Sequence, residues 1–300
     1  MNEIAIIGPT ASGKSSLAIE LAKKCNAFIL SLDSLAIYKE ADIVSAKPSK
    51  EELKEVLHFG IDEKYINEHF NVDMYIDLYK KAKECSIKNN KNLIIVGGTS
   101  FYLKTLIEGI SPVPNVKEET IKEVENILLD LDKAYRVLKD IDKEYAKKIS
   151  PKDRYRIEKA LLIYFSTKTS PTIYFKQNPK KPIIQNLKIY EIDIDRAILK
   201  EKIFKRTKEM LKFGLIDEIA YLEKKYTRAP KPMNAIGIKE TLKYLDGKIS
   251  IDELAQEISK NTLYLAKRQQ TFNRTQFREK MTAPTEKLYE MIENKLCEKD

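Results

Sequence analysis

The octapeptide Gly8-Pro9-Thr10-Ala11-Ser12-Gly13-Lys14-Ser15 restricts this 300-residue chain more than any other stretch. Ile4 to Ile7, just before it, reads as a buried strand, and Ser15 to Cys25, just after it, as a helix. Strand, glycine loop and helix in that order make a P-loop. The two glycines let the backbone wrap a phosphate, successive N–H groups point inward, and the helix N-terminus adds positive potential. Lys14 can reach a terminal phosphate, and the Ser15 hydroxyl can ligate Mg²⁺. With only nine glycines in the chain, a chance match in this context is rare. A diphosphate or triphosphate ligand is expected.

Short apolar runs continue to alternate with helical stretches up to Gly98, as in a parallel α/β sheet. Ala27 to Leu32 reads as a second strand ending at Asp33-Ser34. Met74 to Asn89 has helical spacing, and Asn92 to Val96 reads as a third strand closed by Gly97-Gly98-Thr99. All three strands end where α/β ligand sites form. On residues alone, Asp33 is a metal organiser, a general base or the N-cap of a helix after it.

The character of the chain changes at Ser111. Pro112 and Pro114 punctuate it, then Ile121, Val124, Leu128, Leu131, Tyr135 and Leu138 recur at helical spacing. A second helix runs through Arg156 to Phe165, and Pro171, Pro179 and Pro182 break the pattern. No glycine lies between Gly109 and Gly214. Residues 115–185 are therefore expected to form a small helical insertion in a core made of 1–114 and 186–300. Leu187 to Ile194 reads as a returning strand. Amphipathic helices come next at Arg196 to Phe213, Asp217 to Lys225, Lys239 to Leu245 and Asp252 to about Lys280, before the charged tail Glu298-Lys299-Asp300. The expected fold is α/β: a P-loop NTPase-like parallel sheet flanked by helices, with an all-helical insertion domain.

An excess of 54 basic over 45 acidic residues, formally +9, favours a polyanionic partner such as nucleic acid. No apolar run reaches the roughly 20 residues of a membrane span. Met1-Asn2-Glu3 begins no basic leader. Cys25, Cys85 and Cys297 are scattered and odd in number, which argues against a disulfide framework. With only His58 and His69 beside them, a metal cluster is not expected. A reduced, cytoplasmic monomer is the expectation.

Further short motifs share an order with the loop. They are Asp33-Ser34-Leu35-Ala36-Ile37-Tyr38, Ala46-Lys47-Pro48, Val96-Gly97-Gly98-Thr99-Ser100-Phe101-Tyr102, and Arg156-Ile157 with Ala160-Leu161. Then come Arg206, Met210, Gly214-Leu215 and Glu218, Ala235-Ile236-Gly237 with Lys239-Glu240, and Ala266-Lys267-Arg268-Gln269 with Thr271. Taken together along nearly the whole chain, these resemble the tRNA dimethylallyltransferase family. Phe59, Lys159, Ile238, Leu263 and Phe272 depart from it, standing where His, Arg, Tyr, Arg and Trp are common.

The resemblance implies transfer of a dimethylallyl group from dimethylallyl diphosphate to N6 of the adenosine just 3′ of the anticodon. The tRNAs would be those reading codons that begin with U, the products N6-(dimethylallyl)adenosine and diphosphate, and the cofactor Mg²⁺. Gly8 to Ser15 would then bind the diphosphate, with Ser15 on the metal. Asp33 would be the base, Thr99 a hydrogen-bonding partner of adenine or diphosphate, and Arg206 a stabiliser of the leaving group. The anticodon stem-loop would meet Asp33, Ser34, Leu35, Ala36 and Thr99, the insertion's Tyr155, Arg156, Ile157, Glu158 and Lys159, and Lys267, Arg268 and Gln269. Lys147, Lys148, Lys152 and Arg154 are either part of that basic face or a solvated helix surface. The rival readings are a P-loop small-molecule kinase and an RNA-binding regulator driven by nucleotide.

Overall fold

Ile4, Ala5, Ile6 and Ile7 are all almost completely buried. A strand with no polar face is a central strand covered on both sides, and β1 (Glu3–Ile7) is that strand. A computed structural model describes residues 1–297; the charged tail Glu298-Lys299-Asp300 lies outside the described residues. After β1 come α1 (Lys14–Lys24), β2 (Ala27–Ser31), α2 (Lys50–Glu55), the two-residue β3 (His58–Phe59), α3 (Val72–Lys88), β4 (Asn92–Gly97) and α4 (Ser100–Glu108). Five helices succeed them: α5 (Glu118–Ile127), α6 (Leu131–Ile141), α7 (Lys143–Ala146), α8 (Arg154–Thr167) and α9 (Pro171–Gln177). The chain then runs through β5 (Lys188–Ile192), α10 (Arg196–Lys212), α11 (Leu215–Tyr226), α12 (Ile238–Leu245), α13 (Ile251–Gln276), β6 (Met281–Ala283) and α14 (Thr285–Cys297).

The strands form one sheet in the order β3-β2-β4-β1-β5-β6. Every pairing in it is parallel, as the alternation of runs led us to expect. Because β4 lies between β1 and β2, the loops leaving those three strands emerge side by side at one carboxyl edge. This is the crevice where open α/β sheets hold ligands.

The chain divides into two compact units, Met1–Leu106 with Ile184 onward, and Ile107–Ile183. The larger unit contains the sheet, with Leu17, Leu21, Ile94, Tyr190, Leu288 and Ile292 in one of its cores. The smaller is helical around Val124, Leu128, Ala134, Leu138, Ile157 and Leu161. No helix among the described residues is long and apolar enough to cross a membrane.

Three expectations need correction. The apolar rhythm from Ile121 to Leu138 is two helices, because Asp130 accepts the Lys133 N–H at 3.0 Å and starts α6 afresh. The helix expected to run to about Lys280 stops at Gln276, and β6 and α14 come after it. Three residues are too few for β6 to show an alternation. The disulfide that the cysteine count argued against is present: Cys25 and Cys297 are joined, their Cα atoms 5.1 Å apart across 272 residues of sequence. Helix α14 packs on α1 and brings the two ends together, which spacing along the chain cannot reveal. Cys85 stays a free thiol.

Candidate active site

At the carboxyl edge of the larger unit lies a cavity of about 500 Å³. Thr10, Lys14 and Ser15 of the loop after β1 wall one side, and Asp33, Ser34, Leu35 and Ala36 after β2 another. Gly97 at the end of β4, with Gly98 and Thr99 after it, lies between them, while α10 contributes Arg206 and α13 contributes Arg268 and Gln269.

The loop winds through left-handed backbone at Ala11 (φ 63°) and Gly13 (φ 96°) and then enters α1. Lys14 is buried, its Nζ donating to the Pro9 carbonyl at 2.7 Å. Burial, with the nearby Arg206 charge, pulls its ammonium down to about 8, and Asp33 opposes the shift. Burial also lowers the Arg206 guanidinium from its ordinary value, again opposed by Asp33. One carboxylate therefore faces two cations across the cavity. The Ser12 hydroxyl inside the loop is buried without a hydrogen-bond partner among the described residues.

Asp33 Oδ1 accepts the N–H groups of Leu35 at 2.8 Å and Ala36 at 3.2 Å. No helix starts after Asp33, so the capping role left open by the sequence is not met, and Oδ1 instead closes a turn over residues 34–37. Among the described residues no hydrogen bond is made to Oδ2. Thr99 is fixed by its N–H on the Leu32 carbonyl at 2.8 Å, and its Oγ1 accepts the Ser34 N–H at 3.2 Å. This closeness requires Gly97, where a Cβ would lie 2.7 Å from the Leu32 backbone. Arg206 Nη1 donates to Thr10 Oγ1 at 3.5 Å.

Near Asp33 stands a group of tyrosines, of which Tyr38 and Tyr102 end two of the quoted motifs and Tyr75 belongs to none. Tyr75 stacks on Tyr102 with centroids 4.4 Å apart, and its buried hydroxyl has no hydrogen-bond partner among the described residues. Burial, then Tyr38 and Asp33, raise the Tyr102 phenol to about 12. Two anchors hold the next loop. Lys47 makes ion pairs of 2.6 Å with both Asp42 and Asp62, and the Glu218 carboxylate accepts the N–H groups of Asp42, Ile43 and Val44 at 2.7–2.9 Å. Phe101, exposed on α4, also lines the cavity.

Other expected residues are placed less simply. Lys267 is exposed and does not line the cavity, although its neighbours Arg268 and Gln269 do. In the smaller unit Tyr155 and Arg156 are exposed on α8, and Lys159 Nζ lies 5.8 Å above the Tyr155 ring. Ile157, expected among the residues facing RNA, is 0% exposed in the helical core, and Glu158 is half-buried. The Ile157 side chain is packing, because it falls on the inner face of α8. Arg154 Nη1 donates to the Leu128 carbonyl at 2.6 Å and ties α8 to the end of α5.

Among the described residues no group of three or more His, Cys, Asp or Glu side chains is built to hold a metal. The Ser15 hydroxyl and the Asp33 carboxylate do line the same cavity. Mg²⁺ takes few protein oxygens and fills its shell with phosphate oxygens and water, so this donor set fits a cation held chiefly through a diphosphate.

A phosphate loop at the switch point of a parallel sheet, with a carboxylate and an arginine across the cavity, defines a P-loop α/β enzyme core. The family model described as IPP transferase matches residues 36–276, and the chain belongs to that family. A tRNA dimethylallyltransferase of Sulfurimonas denitrificans is 56% identical over 97% of this chain and 98% of its own length. The crystal structure of the tRNA delta(2)-isopentenylpyrophosphate transferase of Staphylococcus epidermidis matches with TM-score 0.69 and 29% identity, covering 99% of this chain and 97% of that one. A eukaryotic dimethylallyltransferase acting on tRNA matches with TM-score 0.84 at 23% identity, over 95% of this chain and 74% of that one, a likeness of fold. The family drawn from the motifs is borne out.

Proposed function

We propose that this protein transfers the dimethylallyl group of dimethylallyl diphosphate to N6 of adenosine 37 in tRNAs reading codons that begin with U. The observation that carries the reading is the placement of Asp33 across one cavity from Lys14, Ser15 and Arg206. Those four residues are what a displacement at C1 of the donor needs. The N6 lone pair forms the new bond to C1, the C1–O bond breaks, and its electron pair leaves on the diphosphate. The N6 proton passes to Asp33, whose Oδ1 is held by backbone N–H groups while Oδ2 is open to the incoming amine. Charge gathers on the departing diphosphate, which Lys14 and Arg206, lining the same cavity, would stabilise. Mg²⁺ bound through Ser15 and the diphosphate would supply further neutralisation of that charge.

The adenine must leave its stack to reach such a cavity, as in other enzymes that modify bases. Thr99, tied to Ser34, is suited to hydrogen-bond the base or the diphosphate. The helical unit from Ile107 to Ile183 would grip the anticodon stem through Tyr155, Arg156 and Lys159. On this reading the enzyme works as a monomer in the cytoplasm, where tRNA is modified.

Diphosphate release tests the reading. Wild-type protein with Mg²⁺, dimethylallyl diphosphate and tRNA should release diphosphate only when both substrates are present, with ATP neither needed nor consumed. A kinase would instead turn over ATP on a small acceptor and leave the isoprenoid donor intact, and that outcome would refute the proposal.

A further inference from the structure

Gln269 belongs by motif with residues expected to meet RNA, yet both ends of its side-chain amide hydrogen-bond to the protein's own backbone. Its Oε1 accepts the N–H of Thr10 in the phosphate loop at 2.8 Å. Its Nε2 donates to the carbonyl of Gly98, at the end of β4, at 3.0 Å. The two partners lie 259 and 171 residues away in sequence, so one planar group on α13 joins two loops that the sheet only places side by side. Gly98 is part of the fit, because a Cβ there would overlap the Gln269 amide nitrogen.

The joined loops carry opposite ends of the reaction. Thr10 opens the diphosphate cradle, and its hydroxyl also accepts from Arg206. Gly98 precedes Thr99, which accepts the Ser34 N–H next to Asp33. We propose that Gln269 is a positioning residue that pins the phosphate loop to the β4–α4 turn and so sets the spacing between the leaving diphosphate and the group that deprotonates the amine. The proposal rests on the reaction proposed above. The chemistry demands glutamine, because one acceptor and one donor must sit on the same rigid plane. Glutamate would present an oxygen to the Gly98 carbonyl, and methionine would keep the length while losing both bonds. Positioning of this kind is steep, since a displacement of about 1 Å costs on the order of 10² in rate.

The test compares Gln269→Met, Gln269→Glu and Gly98→Ala with wild type. The latch predicts that kcat at saturating tRNA and donor falls about 10- to 100-fold in all three, with KM for tRNA within about twofold of wild type. It predicts that the Thr10 amide exchanges hydrogen slowly in the wild-type enzyme and quickly in Gln269→Met. It also predicts that Gly98→Ala costs nothing further when added to Gln269→Ala, because the clash and the bond it breaks are both gone. If Gln269→Met keeps wild-type kcat and raises KM for tRNA, the amide is an RNA contact and the proposal is overturned. Unchanged kcat and KM would overturn it as well. If Gln269→Met does not fold, the other two variants decide by the same criteria. Should wild-type protein prenylate no tRNA, the proposed reaction fails, while Thr10 amide exchange still decides whether the latch exists.

Discussion

Lys14 is buried, beside Arg206, and within reach of Asp33, and these neighbours make its behaviour depend on pH with two different signs. Binding an anionic donor requires the ammonium, whose charged fraction falls as pH climbs past about 8. Dimethylallyl diphosphate affinity, measured by titration calorimetry, should therefore weaken above pH 8 in wild type and stay flatter in Lys14→Met. For the empty protein the sign reverses. The unfolded chain keeps the proton up to about 10.5, above the folded value of about 8, so wild-type stability should rise relative to Lys14→Met between those limits. Difference scans at pH 7.5 and 10 check this, and an equal offset at both would remove the buried ammonium from the account. At Asp33 the prediction is kinetic. Asp33→Ala should lower single-turnover transfer by roughly 10²–10⁴ with little change in donor binding. Asp33 was visible in the sequence because it ends an apolar run opposite a phosphate loop. Tyr38 and Tyr102 end quoted motifs and Tyr75 lies in none, and their meeting was not visible, because only the folded chain gathers them.

At the scale of elements, the strand ends and helix α8 left different signals in the sequence. The β1, β2 and β4 ends build the cavity, and their strands were legible as unbroken apolar runs. Helix α8 was legible too, but a run of five neighbouring residues on it was not one surface. Tyr155, Arg156 and Lys159 reach solvent while Ile157 turns into the core, which is what a helical period imposes on any contiguous segment. Reversing the charge at Arg156 and Lys159 together should raise KM for a tRNA stem-loop about tenfold and leave KM for the donor unmoved. The slope of log KM for tRNA against log salt should become shallower in that variant. An unchanged slope would deny α8 a role against phosphates. Lys267, by its neighbour Arg268, is the comparison: it does not line the cavity, and substituting it should move donor binding little.

At the scale of the whole molecule, the disulfide between Cys25 and Cys297 ties the end of the phosphate-loop helix to the last described helix. Closing so long a loop constrains the unfolded chain, an effect typically of about 2–4 kcal/mol. The thermal midpoint of oxidised wild type should drop by several degrees in reductant, and that of Cys297→Ser should not respond. The parallel sheet was readable from three runs and a loop; the closeness of Cys25 to Cys297 was not, since β6 is too short to leave a pattern and α14 lies beyond it. The central claim is that the phosphate loop holds the discarded part of the donor while an adenine amine attacks. Tandem mass spectrometry of nuclease-digested tRNA, after incubation with the enzyme, Mg²⁺ and dimethylallyl diphosphate, tests it most directly. The account predicts one C5H8 increment on the base of the adenosine just 3′ of the anticodon, absent with Asp33→Ala at short times. An unmodified adenosine with the dimethylallyl diphosphate left intact would contradict it.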